Sequence, residues 1–154
     1  MIVLERLTAP TDEARALIDE LDADLRGPYD PDQHHGFSID RVFATGLLFF
    51  LAKLDGQAVG CGGIAFDDGY AELKRMYVRP TARGRGVAQA VLERLEAEAK
   101  AKGYKRLTLE TGDVQHAAIK VYERAGFAVC APFGEYLALP PHTIERSIFM
   151  AKAI

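Results

Sequence analysis

The sequence predicts a single α/β domain over residues 1–154, with a mixed sheet of about seven strands flanked by about four helices. Three observations carry this. Short runs in the first half alternate apolar and polar residues with period two, as half-buried strands do. Longer runs repeat their apolar residues every three or four positions, as helices packed on one face do. The second half reads strand, helix, strand, helix, strand, the order of layered α/β proteins. The length suits one hydrophobic core and would leave two cores short of interior.

Taken in order, Ile2 to Leu7 alternates as a strand and is stopped by Pro10. Thr11 then caps a helix whose first turn holds Asp12 and Glu13, and whose stripe is Ala14, Leu17, Ile18, Leu21 and Leu25. Gly27 and Pro28 end it. Tyr29 to Phe37 has no periodicity and reads as a loop before a short helix near Ser38 to Ala44. Leu47 to Leu54, Gln57 to Phe66 and Tyr70 to Val78 form an antiparallel meander, turned by Asp55-Gly56 and by Asp67-Asp68-Gly69. Past Pro80 the period becomes helical from about Gly86 to Lys102, with Ala88, Val91, Leu92, Leu95 and Ala99 on one stripe and Gly103 as C-cap. Lys105 to Leu109 is a strand, Gln115 to Arg124 a helix ended by Gly126, and Phe127 to Ala131 and Arg146 to Lys152 are final strands around a loop containing Pro132, Pro140 and Pro141.

Composition narrows the function. Hydrophobic residues at 49% and charged residues at 27% are those of a folded globular chain, so disorder is excluded. The apolar run Gly46 to Ala52 is too short to cross a bilayer, and the acidic start lacks the basic and apolar regions of a signal peptide, so a cytoplasmic protein is expected. Cys61 and Cys130 lie far apart in no metal-ligand spacing, which predicts buried free thiols and no metal centre. Residues 1–40 hold ten acidic and three basic side chains, and residues 74–106 hold ten basic and three acidic. That asymmetry fits either an anion bound by the middle of the chain or merely solvated helix faces. No basic surface with interleaved aromatics is present, so nucleic acid is not an expected partner.

The segment Arg83, Gly84, Arg85, Gly86, Val87, Ala88 stands between an apolar strand and an amphipathic helix. Free backbone N–H groups at a helix start, beside small residues, suit a pyrophosphate, and the arginines add charge. By itself such a turn is equally a plain helix start with solvated arginines.

These residues resemble the GNAT superfamily of N-acetyltransferases, whose acetyl-CoA signature is Arg or Gln followed by x-x-Gly-x-Gly/Ala, matched here by Arg83, Gly86 and Ala88. The strand Glu72 to Val78 with Arg79 and Pro80 is similar to the family's central strand. Ala118, Ile119, Val121, Tyr122, Gly126 and Phe127 are similar to its later helix–strand junction. Three motifs in the family's order cover residues 58–130 well. The resemblance implies a splayed sheet with acetyl-CoA as co-substrate in the splay. Main chain at Met76, Tyr77 and Val78 would meet the pantetheine arm, and Arg83 to Ala88 the pyrophosphate.

Two proton-transfer groups follow from the same resemblance. Glu72, on the strand face expected to hold Lys74 and Met76, is a candidate base, with a surface ion pair to Lys74 as the alternative. Tyr122 is the candidate acid for the departing sulfur, with a core tyrosine on the apolar helical stripe as the alternative. Gln115 stands where many members carry an Asn that contacts the cofactor. Neither cysteine lies in a matched motif, so direct attack by a small-molecule primary amine is expected rather than a covalent enzyme intermediate. The acidic N-terminal third mildly favours a cationic acceptor. The alternatives are a non-catalytic acyl-CoA-binding module and an acetyltransferase acting on protein lysine or N-terminal amines, and a homodimer is compatible with any of them. His34 and His35 read as solvated loop residues, with base or metal ligand as the alternative, His142 as a loop residue without carboxylate ligand spacing, and Glu135 and Tyr136 as tail residues that are candidates to line the acceptor pocket.

Overall fold

Strands β1 (Ile2–Leu7), β2 (Leu48–Leu54), β3 (Gln57–Phe66) and β4 (Ala71–Val78) pair antiparallel in sequence order. Their turns are left-handed at Asp55, Gly56 and Gly69, which the Asp-Gly pairs accommodate. In the computed structural model, which describes residues 1–154, the sheet continues with β5 (Arg106–Gly112), β7 (Ser147–Ala153) and β6 (Ala128–Val129), in the order β1-β2-β3-β4-β5-β7-β6.

Helix α1 (Asp12–Arg26) begins where the Thr11 side chain accepts the N–H of Ala14, and α2 (Ile39–Ala44) where Ser38 accepts from Arg41. Both cover one face of the sheet, burying Leu17, Ile18 and Val42 against Phe49, Leu51, Cys61 and Tyr77. Helices α3 (Val87–Ala101) and α4 (His116–Arg124) cover the other, where Val91 and Leu95 meet Phe50, Ile64, Leu73, Leu107 and Met150. No helix is long and apolar enough to cross a membrane.

Three departures from the sequence expectation matter. The Pro-rich tail contains a 3₁₀ turn at Gly134–Ala138 and a fifth short helix, α5 (Pro141–Ile144), because Phe133, Tyr136 and Phe149 gather into a small core of their own. Strand β5 runs on to Gly112, since β7 pairs with it at every residue from Arg106 to Gly112. Strand β6 is reduced to two residues at the sheet edge. Cys61 is buried, its thiol pushed up to about 12 by burial, whereas Cys130 is only partly covered.

Two features of β4 position the site. It lies parallel to β5 but pairs with it only at Ala71↔Leu107 and Glu72↔Thr108. The β5-facing edge of β4 beyond Glu72 therefore has no strand partner, as the resemblance implied. The second feature was not expected. The β3–β4 register slips by one between Cys61 and Gly63, and Arg75 takes the left-handed backbone (φ +55) of a bulge. The extra residue turns Met76 onto the α3 face, where a Cβ on Gly62 would fall 2.5 Å from its Sδ. Met76 does not share the face of Glu72 and Lys74. Arg75 joins those two instead, reaching Asp22 of α1.

Candidate active site

The turn before α3 has the predicted form. Gly84 and Gly86 hold left-handed backbone (φ +78 and +82), Gly86 caps the helix without a side-chain bond, and no acid lies in the first turn. The first N–H groups of α3 are thus unspent and uncontested by nearby carboxylate. They open on a cavity of about 1080 Å³ between the two half-sheets, lined by Met76, Tyr77, Val78, Arg83, Gly84, Gly86, Val87, Ala88, Gln115 and Tyr122. Arg83 is steadied by its Nε donating to the Val78 carbonyl at 3.1 Å. Arg85 is exposed and lies outside this wall.

A second cavity, of about 120 Å³, lies on the α1 side of β4. The two share Leu21, Met76, Gln115, Ala118 and Tyr122 as lining. Tyr122 is buried on α4, its ring edge-on to Phe127 at 6.0 Å, and its hydroxyl makes no hydrogen bond within the chain. Burial first, then the charge of Glu110, pushes its hydroxyl above the ordinary phenol range, so it holds its proton at neutral pH.

The second cavity contains a buried polar network. Tyr136 donates to Glu72 Oε2 at 2.6 Å and accepts from Lys74 Nζ at 3.0 Å, while Lys74 pairs with Glu72 at 2.9 Å. Glu72 is thus an ion-paired carboxylate, 7% exposed, as the alternative reading held, but inside the site rather than on the surface. Facing it from β5, Glu110 accepts from Ser147 Oγ at 2.6 Å and has no cation in salt-bridge contact. Burial raises its carboxyl above the usual range, against the lowering effect of the Ser147 bond and, more weakly, of His35 and Lys74.

The histidine pair is not solvated. His34 Nε2 bonds the Leu25 carbonyl at 3.0 Å, and His35 Nε2 bonds that of Thr143 at 2.6 Å, its ring edge-on to Tyr136. Together they fasten residues 29–37 over the second cavity. His142 meets Asp32 at 3.2 Å and Glu145 at 3.2 Å, so folding supplies the carboxylate neighbours that its sequence spacing lacked, in an exposed polar cluster. Two of the N-terminal acids meet bases of the middle: Glu20 pairs with Arg79 and Asp22 with Arg75.

Residues 14–127 match the family model described as Acetyltransferase (GNAT) family. The chain belongs to that family. An IAA acetyltransferase of Azospirillum brasilense is 39% identical over 99% of this chain and 98% of its own length. The crystal structure of a Klebsiella pneumoniae protein assigned to the acyl-CoA N-acyltransferases superposes with a TM-score of 0.79 at 32% identity, over 99% of this chain and 97% of that one. A Thermoplasma acidophilum N-acetyltransferase in complex with coenzyme A shares the fold, with a TM-score of 0.75 at 18% identity, over 100% and 99% of the two chains.

In this GNAT chain the sequence motifs located the larger cavity and Tyr122. The alternation legible in the sequence stops at Leu109, three residues short of the strand's end at Gly112, and so does not reach Glu110. Tyr136 has no local signal of a role; an aromatic in a Pro-rich tail signals nothing until the fold brings it to a residue 64 positions away.

Proposed function

We propose that this protein moves an acetyl group from acetyl-CoA to the primary amine of a small molecule by direct attack. The observation that carries this is the meeting of two cavities at Tyr122, one ending at an uncapped helix start and the other at buried carboxylates. The residues present fit the co-substrate. The N–H groups at Gly86 to Ala88 would hold its pyrophosphate with help from Arg83, and the bare β4 edge at Met76 to Val78 would bond its amide arm as an added strand. When bound, acetyl-CoA supplies the thioester carbonyl.

The chain's residues then divide the proton work. An ammonium must lose a proton before its nitrogen can form the new C–N bond. Of the two carboxylates, Glu72 is already committed to Lys74 and to the Tyr136 hydroxyl. Glu110, with no matching cation, is the better acceptor of that proton. As the C–S bond breaks, Tyr122 would give its hydroxyl proton to the leaving sulfur and regain one from the attacking nitrogen, which must shed a second proton to become an amide. Glu72 and Tyr136 then serve to position the wall facing Glu110. The small, roofed second cavity favours a metabolite over a protein acceptor, for which an open groove would be needed.

Thiol release from acetyl-CoA against a panel of amines, amino acids and peptides tests the reading, with thermal stabilisation by CoA measured in parallel. Tyr122→Phe should lower kcat about 100-fold while CoA affinity stays within about twofold. Unchanged kcat would remove Tyr122 from the mechanism, and absence of stabilisation by any CoA species would end the proposal.

A further inference from the structure

We infer that the acceptor carries a carboxylate beside its amine, and that Arg75 recognises it. This deepens the acetyl-transfer reading and rests on it. Arg75 is the bulged residue of β4, one of only two non-glycine residues with positive φ, the other being the turn residue Asp55. Its side chain is 3% exposed and lines the second cavity. The guanidinium's hydrogen bonding within the chain is confined to Asp22, and its Nε is buried without a partner. Buried donors are nearly always satisfied, and an unsatisfied one on a charged group is the more costly case. The loop over it has no room to spare, since a Cβ on Gly36 would fall 1.7 Å from Nη1.

The charges around Arg75 point to what it reads. Lys74 is committed to Glu72 and Tyr136, and Arg146 to Asp113 and the Pro28 carbonyl. Among the cations of this cavity, Arg75 alone has a buried N–H with no acceptor. Among the anions, Glu72 is matched by Lys74, and Glu110 has no cation in contact. One donor-rich cation on β4 and one unmatched carboxylate on β5 thus border the same gap. They are complementary to a zwitterion: an ammonium toward Glu110 and a carboxylate toward Arg75, whose planar fork of donors matches carboxylate geometry. The substrate class is therefore that of amino acids.

Alanine, methionine and phenylalanine, each compared with its carboxamide and its decarboxylated amine, make the test. The wild-type protein should prefer each acid about 30-fold or more in kcat/KM, and calorimetry on the CoA-loaded protein should give the same order of binding. Arg75→Gln should reduce that preference to within about threefold by raising KM for the acids, leaving CoA affinity and kcat on the amines in place. Asp22→Asn retains Arg75 and should keep the preference, because the ligand carboxylate then serves as its counter-ion. Equal binding of acid, amide and amine by the wild-type protein overturns the inference even if Arg75→Gln fails to fold. Selective binding of the acids without turnover of any amine would instead overturn acetyl transfer and leave the carboxylate assignment standing.

Discussion

The larger cavity takes its donors from the first turn of one helix and its bare wall from one strand, all within the continuous stretch from Met76 to Ala88. The smaller one is assembled from side chains of β4, β5, the loop over residues 29–37 and the C-terminal tail. The first therefore depends on backbone conformation, which small residues permit. The second depends on ionic and hydrogen-bonding partners that must all arrive together. On the proposed reading, one ligand is recognised by local main chain and another by long-range side-chain chemistry, with Tyr122 in the lining of both cavities.

The sharpest way to break this comparison is Glu110→Gln, which should lower kcat about 100-fold or more with CoA binding intact. Its pH profile is diagnostic. Because the Glu110 carboxyl is raised, it is protonated and unable to accept a proton at low pH, and activity should climb as pH rises through that raised value. The limb should vanish in the glutamine variant. The same shift favours the folded state at low pH, and that contribution is lost as pH rises through the folded-state value. A wild-type profile without such a limb would exclude Glu110 as the base.

Glu72→Gln probes the other carboxylate. It leaves Lys74, 6% exposed, without its anion, a loss worth about 3–5 kcal/mol for a buried pair. The melting midpoint should fall by about 10 °C, with kcat reduced far less than in Glu110→Gln. A collapse of kcat in a well-folded Glu72→Gln protein would return the base role to Glu72.

The smallest effect sharpens the cofactor side. A Cβ at Gly86 would meet only Ile2 Cδ1, at 4.0 Å, so the effect of a valine comes chiefly through φ +82, which a β-branched residue resists. Gly86→Val should weaken CoA binding about 10-fold with kcat at saturating acetyl-CoA retained, measured by calorimetry and steady-state kinetics. Unaltered affinity would show that the first turn of α3 does not hold the phosphates.

Legibility in the sequence followed the same division. The meander, Thr11 as cap, and the glycines before α3 were readable because each is a local contest between a few neighbouring residues. Arg75 was not, since nothing in Lys74-Arg75-Met76 marks a bulge. It becomes visible only when β3 offers one residue fewer than β4, and it overturns the expected face of Met76. Glu110 and Tyr136 lie at opposite extremes of the same problem. One sits a single residue past the strand's evident alternation, the other 64 residues from its partner Glu72.

The short parallel seam has a mechanical meaning. With Ala71 and Glu72 against Leu107 and Thr108 as its only paired positions, the sheet amounts to two stiff plates on a narrow hinge. A guest whose amides and carbonyls completed the bare margin of β4 would act as a removable strand, so part of this molecule's rigidity would be carried in by its ligand and leave with it.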